Sequence, residues 1–262
     1  MDAEEIVYWE GEDMTWSDAQ APRLRALAPG RCMVFAVWSQ IQPEEDRYDR
    51  DALERLREKL MRTISLGAEP VLCLCRWEAP DWFLAMGGWE REDNLRCFLR
   101  YVSRVVRSVG HLVREYITFF APNREAWNSG AVLSLPRRTR VLSHMACDHV
   151  RAYRLIRDLR EQRGWGDTRI GMVLRMAPQR ELRRGLLPMT GRLNEQIYES
   201  LTIRAMVLGE FRPPLRNVLR IQRGQWCDFV AIHCRPGVEE ICLRKAGEIV
   251  DTPLLLMRRG ET

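Results

Sequence analysis

"GGWEREDNLRCFLRYVSRVVRSVGHLVREYITFFAPNREAW", residues 87–127, holds one full repeat of this chain's rhythm. Its middle, 92–110, is a helical stretch that stops at Gly110. "EYITFF" (115–120) then reads as a buried strand, and "APNREAW" (121–127) as a polar turn that starts another helix. A strand set between helices is the unit of a parallel sheet.

Outward from this segment the unit recurs. Strands are expected at 6–9, 32–38, 69–75, 168–175, 227–234 and 252–257, which makes seven with 115–120. Helices are expected at 49–67, where Leu53, Leu56, Leu60 and Ile64 keep a helical period, and at 140–164. Pro178, Pro188, Pro213 and Pro214 punctuate 176–226, which reads as a long loop with one or two helices. No Gly-rich GxGxxG or GxxxxGK[ST] motif follows any strand, so a nucleotide-binding α/β sheet is excluded. The remaining reading is one domain over 1–262, an α/β barrel of the (β/α)8 (TIM) type, with its site at the C-terminal ends of the strands.

Composition sets further limits. The chain has 262 residues, 46% of them hydrophobic and 29% charged, ordinary values for a globular protein. Only Lys59 and Lys245 are lysines among 41 basic residues. The arginines alternate with acids along helical stretches such as "DALERLREKLMR", so the net charge of +5 forms no nucleic-acid stripe. No apolar run reaches the roughly 18–20 residues of a membrane span, and "MDAEE" is no secretory leader. A cytoplasmic location is expected. The eight cysteines lack metal-type spacing, so reduced, buried thiols and no metal or other cofactor are expected, with Cys234 set apart.

The motifs resemble glycoside hydrolase family 1, the β-glucosidase family. "FAVWSQIQP" (35–43) is similar to its F-S-I-S-W-S-R-I-x-P strand, and "GAEPVLCLCRWEAPDWF" (67–83) to its G-I-E-P-x-V-T-L-Y-H-W-D-L-P segment. The opening stretch follows its G-G-W…T-F-N-E-P-x-x-x-A-W. "IGMVLRMAP" (170–178), "CDFVAIHCRP" (227–236) and "TPLLLMRRG" (252–260) match later strands in order. "YWEG" (8–11) echoes an early motif and brings in Glu10.

The resemblance implies the fold, and position by position it implies lost chemistry. Retaining glycosidases need two carboxyl groups roughly 5–5.5 Å apart. The acid/base glutamate of T-F-N-E-P is matched by Ala121, the asparagine before it by Phe120, and the nucleophile of I-T-E-N-G by Arg258. The H-W-D triplet is matched by Arg76, Trp77 and Glu78, the asparagine of the fifth strand by Arg175, and the N-Y-Y triplet by His233, Cys234 and Arg235. By this resemblance Arg76, Arg175, Arg235 and Arg258 would ring the pocket, either as a released pocket that drifted toward arginine or as an anion site with bidentate forks. Burying such like charges favours a bound anion or local pairing with Glu78 and Glu10.

Two functions remain open. One is a repurposed enzyme (a lyase, isomerase or hydrolase) acting on a small anionic molecule in a biosynthetic pathway through Glu78, His233 and Cys234. The other is a non-catalytic pseudo-glycosidase that binds a ligand or partner. Glu125, four residues beyond Ala121, reads as a solvated helix position; His149 reads as packing, and His111 and His144 give no signal. The family continues to an eighth strand and helix that carry sugar ligands, and this chain has four residues after Arg258. Unless 6–9 pairs across the gap, the barrel has an open edge that a homo-oligomer or protein partner would cover.

Overall fold

In the computed structural model the described residues are 4–9, 17–76, 78–124, 134–177 and 196–260. Strands β1 (Glu5–Tyr8), β2 (Arg31–Phe35), β3 (Glu69–Cys73), β4 (Glu115–Phe120), β5 (Arg169–Arg175), β6 (Phe229–His233) and β7 (Leu254–Arg259) are all parallel. They form one closed barrel in chain order. The helices between them are α1 (Ala21–Leu27), α2 (Arg50–Ser65), α3 (Leu95–Val109), α4 (Leu135–Gln162), α5 (Thr202–Leu208) and α6 (Glu239–Gly247).

The open edge does not exist. β1 pairs with β7 from Glu5↔Leu256 to Tyr8↔Arg259, and with β2 on its other side. Seven strands thus close the cylinder directly, and the edge that called for a covering partner is absent among the described residues.

Strand alternation sorts side chains into two cores. Ile6, Met33, Val71, Ile117, Phe229 and Leu255 belong to the cluster inside the barrel. The opposite faces pack against the helices in a larger cluster around Trp38, whose ring stacks on Tyr101 at 5.1 Å. β2 and β3 stop at Phe35 and Cys73, short of the expected 38 and 75. Just past those ends the carbonyls of Ala36 and Leu74 accept hydrogen bonds from the Tyr101 hydroxyl at 2.8 and 3.0 Å. Trp38 then opens a short helical turn, Trp38–Ile41, instead of extending the strand.

α2 begins where its sequence predicts, because Asp49 Oδ1 accepts the Ala52 amide at 2.8 Å and caps the helix. All eight cysteines are unbridged. Burial pushes the thiols of Cys32 and Cys73 up to about 12, so both stay protonated.

Candidate functional site

The corner that ends β4 is where the fold departs from simple alternation. Ile117 faces the barrel interior, Thr118 and Phe119 face the helices, and Phe120 faces inward again. The β4–β5 register shifts between Ile117 and Phe120, an irregularity of the kind that re-aims a side chain at a barrel rim. Thr118 Oγ1 lies 2.6 Å from His149 Nδ1, and His149 Nε2 lies 2.8 Å from the Trp226 carbonyl. A carbonyl only accepts, so Nε2 carries the proton and Nδ1 accepts from Thr118. Ala121 follows with φ of 55°, a left-handed conformation rarely held by residues with a Cβ. It is buried, and its amide donates to the Val173 carbonyl at 2.8 Å.

Phe120 occupies the centre of the mouth. Its ring centroid lies 5.8 Å from Tyr8, 6.0 Å from Phe35 and 5.5 Å from His233. The Arg76 guanidinium sits over Phe35 at 5.0 Å and Phe120 at 5.9 Å, within cation–π range. The Tyr8 hydroxyl and His233 Nε2 are 3.0 Å apart. Four strand ends therefore deliver an aromatic floor capped by one buried arginine. Tyr8 and Phe35 are participants that motif matching passed over; the alternation of "IVYW" places Tyr8 on the same face as Ile6 and could have found it.

Arg175 stands at the end of β5, beside this floor. Asn123 fixes the backbone there: its Nδ2 donates to the Arg175 carbonyl at 2.6 Å and its Oδ1 accepts the Arg175 amide at 3.2 Å. Burial and then the nearby Arg124 charge lower the Arg175 pKa. No carboxylate pairs with Arg175 among the described residues, so a half-buried cation faces a like charge.

The other expected residues are placed elsewhere. Arg258 is outside the barrel: Met257 and Leu255 fill the interior, and Arg258, on the opposite face, pairs with Glu5 at 2.6 Å. Cys234 is likewise turned away from His233, packing toward α6, where a hydrogen bond with the Cys242 thiol lowers its pKa. Arg235 is exposed beyond β6. Glu78 borders a small space with Phe35, Trp38 and Arg76, and among the described residues no hydrogen bond or ion pair joins it to His233 or Cys234. The three proposed catalytic residues are thus not assembled as a set. Glu10, Trp77 and Glu125 lie outside the described residues. No cluster of metal-ligating side chains occurs among the described residues, and no helix there is long and apolar enough to cross a membrane.

The family model for Glycosyl hydrolase family 1 matches residues 31–219. The chain belongs to glycosyl hydrolase family 1. Among curated family relatives, a chloroplastic β-glucosidase-like SFR2 of Oryza sativa subsp. japonica is 31% identical over 117 residues, covering 41% of this chain. Klotho of Homo sapiens is 31% identical over 118 residues and 41% of this chain. Thermostable β-glucosidase B of Thermobispora bispora is 28% identical over 177 residues, 63% of this chain. The matched parts span only 18%, 11% and 34% of those three proteins. Among solved structures, a β-glycosidase from Pyrococcus horikoshii gives a TM-score of 0.74 at 17% identity, covering 98% of this chain and 74% of that one. A β-glucosidase from Exiguobacterium marinum gives 0.72 at 16% identity, covering 93% and 67%. These two likenesses speak for the family 1 fold alone.

Proposed function

We propose that this family 1 barrel binds a small anion at its mouth and does not hydrolyse glycosides. The observation that carries this reading is Arg175, half-buried beside Arg124 with no carboxylate among the described residues. Two neighbouring guanidiniums repel each other, and a phosphate or carboxylate relieves the repulsion through bidentate hydrogen bonds. The resemblance supports the loss of hydrolysis. By that resemblance Ala121, which can transfer no proton, takes the acid/base position, and Phe120 takes the place of the asparagine before it.

Thermal denaturation with phosphate, acetate and citrate against glucose and cellobiose tests the reading. The anions are expected to raise the midpoint by several degrees at about 100-fold excess over Kd, and Arg175→Ala to remove the rise. Cleavage of an aryl β-glucoside above the blank would overturn it, as would stabilisation by neutral sugars alone.

A second reading, conversion of the bound anion, is favoured by the Tyr8–His233 contact at 3.0 Å, an acid–base pair at the same mouth. Glu78 and Cys234 have less support in it than His233, because no hydrogen bond or ion pair joins either of them to His233 among the described residues.

A further inference from the structure

Away from the barrel mouth, a second cavity of about 530 Å³ lies against the N-terminal half of α4. Thr139, Arg140, Ser143 and His144 of α4 form one wall, Glu90 and Glu92 a second, and Pro214, Arg216 and Val218 a third. The Ser143 hydroxyl accepts the Arg216 amide at 2.9 Å, which fastens the third wall to the helix. The volume suits a small molecule.

His144 is its chemical centre. It is 4% exposed, and its one hydrogen bond runs from Nδ1 to the Trp89 carbonyl at 2.6 Å. That carbonyl can only accept, so Nδ1 holds the proton and Nε2 is a bare acceptor. Nε2 has no protein partner among the described residues, and the ring lines the cavity. Burial lowers the His144 pKa, so the ring stays neutral at pH 7. Glu90 is already neutralised by a two-pronged contact with Arg137 at 2.8 and 2.5 Å. Glu92, Arg140 and Arg216 have no ion pair among the described residues. Two donating cations and two acceptors thus face one space.

We infer that this cavity is a binding site for a small zwitterion such as an amino acid or short peptide, with its carboxylate on Arg140 and Arg216 and its ammonium on Glu92 and His144 Nε2. A plain anion would leave both acceptors unanswered, and a plain cation would face two guanidiniums. The site is separate from the mouth and shares no residue with it.

The test is NMR of protein labelled with 15N-histidine, in which the chain's four histidines report individually. His144→Gln assigns the signal. Single L-amino acids and glycylglycine are titrated against acetate and methylammonium as controls. At least one zwitterion is expected to move the His144 Nε2 resonance while His149 stays in place. By calorimetry, Arg140→Ala and Arg216→Ala, both exposed and foldable, are expected to weaken that binding about tenfold each. An equal response to acetate or to methylammonium overturns the zwitterion assignment. A silent His144 throughout the panel, or binding unchanged in both arginine variants, overturns the site. Arg175→Ala is expected to leave this response intact, which separates the cavity from the anion reading of the mouth.

Discussion

The two ends of the barrel use arginine in opposite ways. At the N-terminal end, Glu115 of β4 accepts Arg31 of β2 at 2.9 Å and Arg169 of β5 at 2.7 Å, and Arg31 also meets Glu4 at 2.9 Å. Nearby, the buried Arg160 donates to the carbonyls of Gly110, Val113 and Trp165, the Tyr116 hydroxyl and Thr168 Oγ1. At the C-terminal end, Arg175 meets no acid among the described residues and lies near Arg124. Arginine is so abundant in this chain that its presence alone says little. Its partners say more: below, Arg31, Arg160 and Arg169 meet acceptors within the fold, and above, Arg175 meets no carboxylate among the described residues.

Substitutions can break this contrast. Arg160→Ala carries the largest expected effect, about 3–5 kcal/mol in urea unfolding, because each buried acceptor left without a donor costs about 1–3 kcal/mol. A loss below 1 kcal/mol would mean that water replaces the guanidinium and that the lower end is less closed than its hydrogen bonds suggest.

The frame between the two ends should respond to pH. Burial lowers the His149 pKa from 6.5 to about 4, so as pH falls through that window the unfolded chain takes up a proton that the fold refuses, and stability drops by about 3 kcal/mol. Asp148 works in the opposite sense. Burial raises its carboxyl well above 3.8, with Trp89 Nε1 as its hydrogen-bond donor at 3.0 Å. The folded state holds that proton after the unfolded one has released it, so stability is present at low pH and lost as pH rises. Where both groups titrate, the two slopes oppose each other in the wild type. Asp148→Asn should therefore gain on wild type as pH rises toward 7, and on acidification should show the whole His149 loss of about 3 kcal/mol, where wild type loses less. Parallel stability profiles for the two proteins would refute the assignment of both groups.

Glu115→Gln comes next, with an expected cost of about 1–2 kcal/mol from two charge-assisted bonds, shrinking in high salt because Arg169 is partly exposed. Arg175→Ala is the smallest. Its stability should stay within about 0.5 kcal/mol of wild type or improve at low salt, since it removes a like charge. A cost as large as that of Glu115→Gln would show that Arg175 is structural and erase the difference between the ends.

The strand–helix rhythm, all seven strands and the barrel class were legible in the sequence, because period-2 and period-3.6 patterns are local and each strand's apolar run survives translation into structure. Phe120 at the mouth was legible too, through its place in "YITFFAPNREAW" beside residues the family keeps. What the chain alone could not reveal depends on closure and on which side of a strand a residue takes. Pairing of β1 with β7 joins segments some 250 residues apart and is decided by barrel geometry. Arg258 and Cys234 were placed by motif position, but side chains alternate along a strand, so a one-residue difference sends them outward to Glu5 and Cys242. The His144 cavity had no sequence signal, because its three walls come from separate segments that meet only when α4 packs against the loops beside it. The sequence by itself determined the elements and their order; tertiary packing decided which charges were satisfied and which were left facing open space.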